Sequence, residues 1–255
     1  MFNIFLVLIF SLTQNFVFAK SSPKLVDWSQ PQGIKRLSES SYNVDFFKLA
    51  NHFQAQPNDV VCGPTTGSIV LNALRLDKND SRIPLVPLKT KLKAHIPEKW
   101  NPEINMYTPE NFVTSLKSKI KTEEQIFGQP INGKKDFGLQ IRQMHKMMEA
   151  HGLKSSLRVV SKDFKVEKMR EEMKNNLRTE NDYVIVNYKR SLLGQEGGGH
   201  ISPVGAYHQA SDSFLVLDVT PSKHHWVWVP AVILFKAMQS FDTVENRGYL
   251  LVSDK

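Results

Sequence analysis

Residues 56–67 have the sequence Gln-Pro-Asn-Asp-Val-Val-Cys-Gly-Pro-Thr-Thr-Gly and contain Cys62, the single cysteine of the 255-residue chain. The apolar run that follows, together with Pro64 in a first turn, predicts a helix that starts at the cysteine. A helix N-terminus lowers the pKa of a thiol and so favours its nucleophilic thiolate form. A buried structural cysteine is the alternative for this residue taken alone, since a free thiol packs like a small hydrophobe.

A nucleophilic thiol requires a base and a group that orients the base. His200 follows three glycines, residues 197–199, and opens a predicted strand. Glycines permit the close approach of a substrate backbone, which a core histidine would not need. Asp218 ends the apolar run 214–217, and the turn at residues 211–213 predicts a hairpin that brings it beside His200. Asp218 would then accept the imidazole N–H and hold the ring toward Cys62.

Gln56 is the candidate for an oxyanion hole, in which its side-chain amide would be partnered by the backbone N–H of Cys62. Each residue taken alone has a plainer alternative. Asp218 could cap a turn, Gln56 could be a surface polar residue, and the three glycines could form a flexible loop. His224 and His225 are a weak metal-site candidate, because adjacent strand residues face opposite sides.

The composition narrows the class of protein. The formal net charge is +8, but the lysines are scattered and no nucleic-acid motif with interleaved aromatic residues is present. We therefore expect a solvated basic surface and no nucleic-acid partner; the functional alternative is a positive field that would help to collect a small anionic substrate. One cysteine permits no disulfide within the chain.

The first 19 residues predict a secretory signal peptide. They carry no charged side chain, include the apolar run 4–10, and end in Val17-Phe18-Ala19, with small residues at −3 and −1 of a cut before Lys20. A membrane anchor is the alternative, but the apolar run is short for a span. We expect a periplasmic or secreted protein with no membrane segment after cleavage, in which residues 20–255 form one domain.

Hydrophobic spacing predicts an α+β fold, with helices in the first half and an antiparallel sheet in the second. The lead-in 20–42 is predicted to be extended, and 77–105 to be loops with a short helix. In the helix over 137–150, three methionines are predicted to pack in the core. The predicted helices are 46–53, 109–116, 137–150, 163–177 and 232–238, and the predicted strands are 183–188, 200–207, 214–219, 226–229 and 249–252.

Six blocks of sequence together resemble the phytochelatin synthases, and within that family its short bacterial members. The blocks are Cys62-Gly63, Asn187-Tyr188-Lys189-Arg190, Gly194-Gln195-Glu196, Gly198-Gly199-His200-Ile201-Ser202-Pro203, Leu217-Asp218-Val219 and Arg247-Gly248-Tyr249. Their order and spacing are distinctive, and the resemblance runs from about Phe46 to the C-terminus.

The resemblance implies a papain-like cysteine protease fold, with a catalytic triad of Cys62, His200 and Asp218 and with Gln56 in the oxyanion hole. It also implies a pocket for γ-glutamyl-cysteine, where an arginine fork would pair with a carboxylate. The residues implied for that pocket are Asn187, Arg190, Gly198, Gly199 and Arg247. No tightly bound protein metal or cofactor is implied, because heavy metals such as Cd and Zn act in this family through metal-glutathione thiolates.

The implied activity is that of a glutathione gamma-glutamylcysteinyltransferase, an acyltransferase of heavy-metal detoxification. Glycine leaves glutathione, γ-Glu-Cys remains on Cys62 as a thioester, and a second glutathione or water resolves it. Plant-type members continue into a cysteine-rich extension that this sequence lacks, so we expect hydrolysis to dominate. A papain-like peptidase or amidase and a non-catalytic periplasmic binding module are the alternatives, and a homodimer is left open.

Overall fold

The computed structural model describes residues 24–254 except 79, 101, 117–119 and 134. The predicted signal peptide, residues 1–19, lies outside the described residues. The described part combines helices with antiparallel sheet, which confirms the α+β class. None of its helices is both long enough and apolar enough to span a bilayer.

Helices dominate the first half of the described chain. The α-helices of the whole described chain are α1 (Pro31–Glu39), α2 (Phe46–Asn51), α3 (Cys62–Arg75), α4 (Thr90–Lys93), α5 (Pro109–Thr114), α6 (Glu123–Phe127), α7 (Ile141–Ala150), α8 (Val166–Leu177) and α9 (Ala231–Met238). The strands are β1 (Val26–Asp27), β2 (Leu85–Val86), β3 (Ile104–Asn105), β4 (Lys154–Val159), β5 (Asp182–Lys189), β6 (Gly199–His208), β7 (Ser213–Val216), β8 (Val227–Pro230) and β9 (Gly248–Ser253).

One antiparallel sheet forms the centre of the described structure, with the strand order β1-β8-β7-β6-β5-β9-β4. It is covered on both faces. Along β5, Tyr183 and Ile185 join the core shared with α3, whereas Val184 and Val186 join the core shared with α8 and α9. Because successive strand residues point to opposite faces, burial on both sides explains the unbroken apolar runs of the second half.

Helix α3 is enclosed along its whole length, and all of its residues are buried. It starts at Cys62, as predicted, and packs on β6 and α5. Thr66 Oγ1 donates a hydrogen bond of 3.1 Å to the carbonyl of Ile201 and so fixes the helix against β6. A helix buried on every side has no solvated face, and its small residues let neighbouring elements approach closely.

The prediction of an extended lead-in is wrong for residues 31–39, which form α1. In the first turn of this helix the missing N–H of Pro31 costs no hydrogen bond, and the fixed φ of proline favours the helix. The helix is held to the sheet by the indole N–H of Trp228, which donates to the carbonyl of Gly33 at 3.0 Å.

Other boundaries differ for local reasons. Helix α7 begins at Ile141 rather than Phe137, because Gly138 is left-handed (φ +66°) and Gln140 forms a capping box with Gln143. The three methionines of α7 lie in the core, as predicted. Strand β4 was not predicted, since its sequence lacks a regular alternation, and it is stabilised by pairing with β9.

Gly67, one of two buried glycines of α3, offers a test of the packing. An ideal Cβ on Gly67 would lie 2.3 Å from Cε2 of Phe112, so we expect Gly67→Ala to lower the free energy of unfolding by about 1–3 kcal/mol. The gain of roughly 0.5–1 kcal/mol that alanine has over glycine in a helix offsets only part of the cost of overpacking. Urea denaturation measures the change. The double variant Gly67→Ala with Phe112→Leu should lose less stability than the sum of the losses of the two single variants, because the smaller side chain relieves the clash. An unchanged urea midpoint for Gly67→Ala would contradict the packing described.

Candidate active site

Cys62 begins the most buried helix and is itself 9% exposed. The His200 imidazole and the backbone N–H of Ile201 are near enough to its thiol to lower the pKa of that thiol. Two neighbouring residues of β6 therefore favour the thiolate form of a cysteine that stands at the N-terminus of α3.

His200 is the second residue of β6 and is 2% exposed. Its Nε2 lies 3.0 Å from Oδ1 of Asp218. Strand β7 ends at Val216, and the N–H of Leu217 bonds the carbonyl of Pro203 at 3.0 Å. This places Asp218 just beyond the hairpin that was predicted, next to the start of β6, so the structure brings Cys62, His200 and Asp218 together.

The Asp218 carboxylate is fully buried and accepts hydrogen bonds from several directions. Oδ1 accepts from Nη2 of Arg190 at 2.7 Å and from the backbone N–H of Thr220 at 2.8 Å. Oδ2 accepts from Nε and Nη2 of Arg190 at 3.2 and 2.8 Å, and from the hydroxyl of Tyr188 at 3.1 Å. A buried carboxylate is stable only when it is paired in this way.

These contacts shift the three pKa values in a consistent direction. Burial raises the pKa of Asp218, but the hydrogen bond and charge of His200, followed by those of Arg190, outweigh it and hold the pKa well below its usual range. Burial likewise opposes the charged forms of the other two groups. The mutual attraction of the Cys62 thiolate and the His200 imidazolium outweighs burial, so the pKa of Cys62 is lowered and that of His200 is raised. The arrangement favours a thiolate–imidazolium pair.

A cleft of about 180 Å³ lies beside this group. Cys62 and His200 border it, and so do three of the residues predicted to bind substrate: Asn187, Gly199 and Arg247. Larger depressions elsewhere, such as the one of about 340 Å³ beside α8, contain neither the cysteine nor the histidine.

The wall of the cleft contains buried polar atoms that have no hydrogen-bond partner among the described residues. Asp242 accepts from Nδ2 of Asn187 at 3.3 Å and from Nη2 of Arg247 at 2.9 Å. Asn187 Oδ1 and Arg247 Nε are buried and have no hydrogen-bond partner among the described residues. Gly199 lies directly against the guanidinium, since a Cβ there would be 2.6 Å from Nη2 of Arg247. An unsatisfied acceptor and an unsatisfied donor are groups that a polar ligand can pair.

Three predicted residues have other contacts. Arg190 is buried against Asp218, and its Nη2 also lies 3.0 Å from His200 Nε2. The carbonyl of Gly198 accepts from the backbone N–H of Arg190 at 2.9 Å. The side-chain amide of Gln56 donates to the carbonyl of Asn58 at 2.7 Å. The roles predicted for these residues stay predictions.

Sequence reasoning missed Tyr188, Thr220 and Asp242. Thr220 could have been found, because an aspartate commonly bonds the backbone N–H two residues on. Tyr188 lies in one of the blocks that carry the resemblance but was given no role there, and Asp242 gave no signal. His224 and His225 contact different groups, the carbonyl of Glu196 and the carboxylate of Asp27. Among the described residues no group of three or more His, Cys, Asp and Glu could hold a metal.

Comparison with known proteins adds an independent finding. The family model for phytochelatin synthase matches residues 18–249. A protein from Lotus japonicus named glutathione gamma-glutamylcysteinyltransferase 3 is 31% identical over 239 residues, which is 91% of this chain and 43% of that protein. Glutathione gamma-glutamylcysteinyltransferase 1 of Arabidopsis thaliana is 28% identical over 91% of this chain and 42% of its own length. The glutathione gamma-glutamylcysteinyltransferase of Schizosaccharomyces pombe is 23% identical over 82% of this chain and 43% of its own length. The chain thus spans less than half the length of these relatives.

The charge pairing at Cys62 can be measured without a substrate. We expect iodoacetamide to alkylate native Cys62 at a pH where an ordinary thiol is still protonated, because only the thiolate reacts. His200→Ala removes the pairing and leaves the effect of burial, which raises the pKa of Cys62. Alkylation near neutral pH should then slow about tenfold or more, since one pKa unit is a tenfold change in thiolate fraction. Urea-denatured protein is the control with an ordinary thiol; identical pH profiles for the native protein and His200→Ala would refute the pairing.

Proposed function

This chain belongs to the phytochelatin synthase family, and on that premise we propose that it catalyses acyl transfer from glutathione through a thioester on Cys62. The observation that carries the proposal is that Cys62 and His200 border one cleft with unpaired polar groups in its wall, and that His200 contacts Asp218. A nucleophilic thiol, a base and a group that orients the base are what acyl transfer by cysteine requires. A papain-like architecture, with α3 against the sheet, is part of the proposal.

In the first half of the reaction, the Cys62 thiolate attacks the carbonyl carbon of the Cys-Gly peptide bond. The negative charge passes to the carbonyl oxygen, where the backbone N–H of Cys62 and the amide of Gln56 would stabilise it. The C–N bond then breaks, and the His200 imidazolium gives its proton to the departing nitrogen of glycine. The products are free glycine and γ-Glu-Cys bound to Cys62 as a thioester.

In the second half, the now neutral His200 removes a proton from the attacking nucleophile. Attack by the amino group of a second glutathione gives phytochelatin, and attack by water gives free γ-Glu-Cys. Either way the C–S bond breaks and the Cys62 thiolate and the His200 imidazolium are restored. Asp218 keeps its charge throughout and holds the ring in place.

Substrate binding is assigned to the cleft wall. Arg247 and Asn187, each with an unpaired buried atom, would hold the polar groups of γ-Glu-Cys, and the Gly198–Gly199 backbone would lie along it. Arg190 uses Nε and Nη2 on Asp218, which leaves Nη1 as the group available for a substrate carboxylate. Cadmium or zinc enters this scheme as a metal-glutathione thiolate substrate.

The nucleophile is tested by substitution. We expect Cys62→Ser to abolish glycine release from glutathione, because His200 lowers the pKa of a thiol enough to favour the thiolate, whereas a serine hydroxyl in the same place stays protonated. Glycine is quantified by mass spectrometry after incubation with glutathione, and a generic peptide substrate is assayed in parallel. Thermal denaturation serves as the folding control. Turnover retained by Cys62→Ser would contradict the covalent mechanism, and cleavage of the generic peptide alone would favour a peptidase.

The fate of the thioester is a second test. The cleft is smaller than pockets that enclose drug-sized ligands, which run to about 300–1,000 Å³, and the acyl group occupies it. A second glutathione must therefore bind largely outside it, whereas water needs no such site. We expect γ-Glu-Cys and glycine to be the main products without metal, and chain extension to increase with cadmium or zinc and high glutathione. Long phytochelatin oligomers as the main early product without metal would overturn this expectation.

A further inference from the structure

Tyr188 touches two members of the site and has been given no role in it. It is fully buried on β5, directly opposite His200 in the antiparallel pair with β6. Its hydroxyl lies 3.1 Å from Asp218 Oδ2. Its ring meets the His200 ring edge to face, with centroids 5.7 Å apart and planes at 84°. One side chain thus contacts both the carboxylate and the imidazole.

The hydroxyl of Tyr188 can act only as a donor toward Asp218. Burial, followed by the charge of Asp218, raises the pKa of Tyr188 well above its ordinary value, so the group stays protonated. Asp218 Oδ1 receives Thr220 N–H and lies beside His200 Nε2, while Oδ2 receives the tyrosine hydroxyl. Arg190 bonds both oxygens through Nη2 and Oδ2 also through Nε, so its contacts are divided between the two atoms, whereas the tyrosine hydroxyl bonds Oδ2 alone.

We propose that Tyr188 is a positioning residue for the triad, whose hydroxyl holds Asp218 Oδ2 and thereby turns Oδ1 toward His200. The ring packs against the imidazole and limits its rotation, and the hydroxyl limits rotation of the carboxylate. The proposal rests on the proposed function for its substrate, but its effect on Cys62 does not need one. Tyr188 is not among the residues that border the cleft, so it acts through Asp218 and His200.

The chain provides a matched control on the same strand. Tyr183 is also a buried tyrosine of β5, and its hydroxyl has no hydrogen-bond partner among the described residues. Tyr183→Phe therefore removes the same atom from the same sheet without touching Asp218. If Tyr188 served only to pack the core, both Tyr→Phe changes would have the same small effect on the site.

The charged groups around His200 determine what loss of the hydroxyl should do. They are Cys62 from α3, Asp218 from the segment after β7, and Arg190 from the 3-10 helix after β5. A carboxylate that turns away stabilises the imidazolium less, and the thiolate in turn is stabilised less by the imidazolium. The pKa of Cys62 should rise and that of His200 should fall. The pH range in which the thiolate and the imidazolium coexist then becomes narrower at both its acid and its alkaline end.

The first measurement is iodoacetamide alkylation of Cys62 against pH, on native protein without glutathione. We expect Tyr188→Phe to slow alkylation five- to tenfold on the acid side of the profile, and Tyr183→Phe to leave the profile unchanged. In an Asp218→Asn background, Tyr188→Phe should add no further effect, because the group it positions is no longer a carboxylate. Equal profiles for native protein and Tyr188→Phe, or a full further effect in the Asp218→Asn background, would overturn the proposal.

The second measurement is glycine release from glutathione across the same pH range. Tyr188→Phe should lower kcat about tenfold with KM nearly unchanged and narrow the pH profile, whereas Tyr183→Phe should do neither. Thermal melts of both variants show whether the protein is folded at the assay temperature. A rise in KM with kcat unchanged would mean that Tyr188 shapes the cleft instead. Absence of glycine release from the native protein would refute the proposed function, while the alkylation profiles would still decide the role of Tyr188.

Discussion

The buried carboxylate of Asp218 is the constraint on which the active-site end of the sheet depends. Removing one partner from a buried ion pair typically costs about 3–5 kcal/mol, because the remaining charge is left without water or a counter-charge. Its donors come from separate places: β5, the 3-10 helix after it, β6, and the segment that follows β7. Satisfying one acid therefore requires that these strands pair in a single register.

That constraint also explains why the site carries paired opposite charges rather than isolated ones. Negative charge on Asp218 supports the imidazolium, and the imidazolium supports the thiolate at the start of α3. The cleft wall repeats the arrangement on a smaller scale, with Asp242 between Asn187 and Arg247. In both networks a carboxylate orients groups that would otherwise rotate freely, and the orientation is set before any ligand arrives.

How far the sequence predicts this structure depends on whether a residue acts through local or long-range contacts. The helix at Cys62 and the hairpin ahead of Asp218 follow from local patterns, because an apolar run after Gly-Pro and a polar turn between apolar runs have few alternatives. Helix α1 differs from the predicted extended lead-in, because proline and glycine are common in loops and only the position of Pro31 in a first turn marks a helix start. Strand β4 is a strand only because β9 pairs with it. The pairing of Arg190 with Asp218 joins residues 28 apart in sequence, and no spacing rule anticipates it.

Helix α3 carries a further consequence. Catalytic groups often lie on surface loops, which can open while the rest of a protein stays folded. Here the nucleophile begins a helix that is buried from end to end, and its base lies on a strand in the middle of the sheet. Such elements separate only when the whole core opens, so the reactive geometry has no local route to disorder. The packing that places the thiol beside His200 therefore also keeps the two groups together between turnovers.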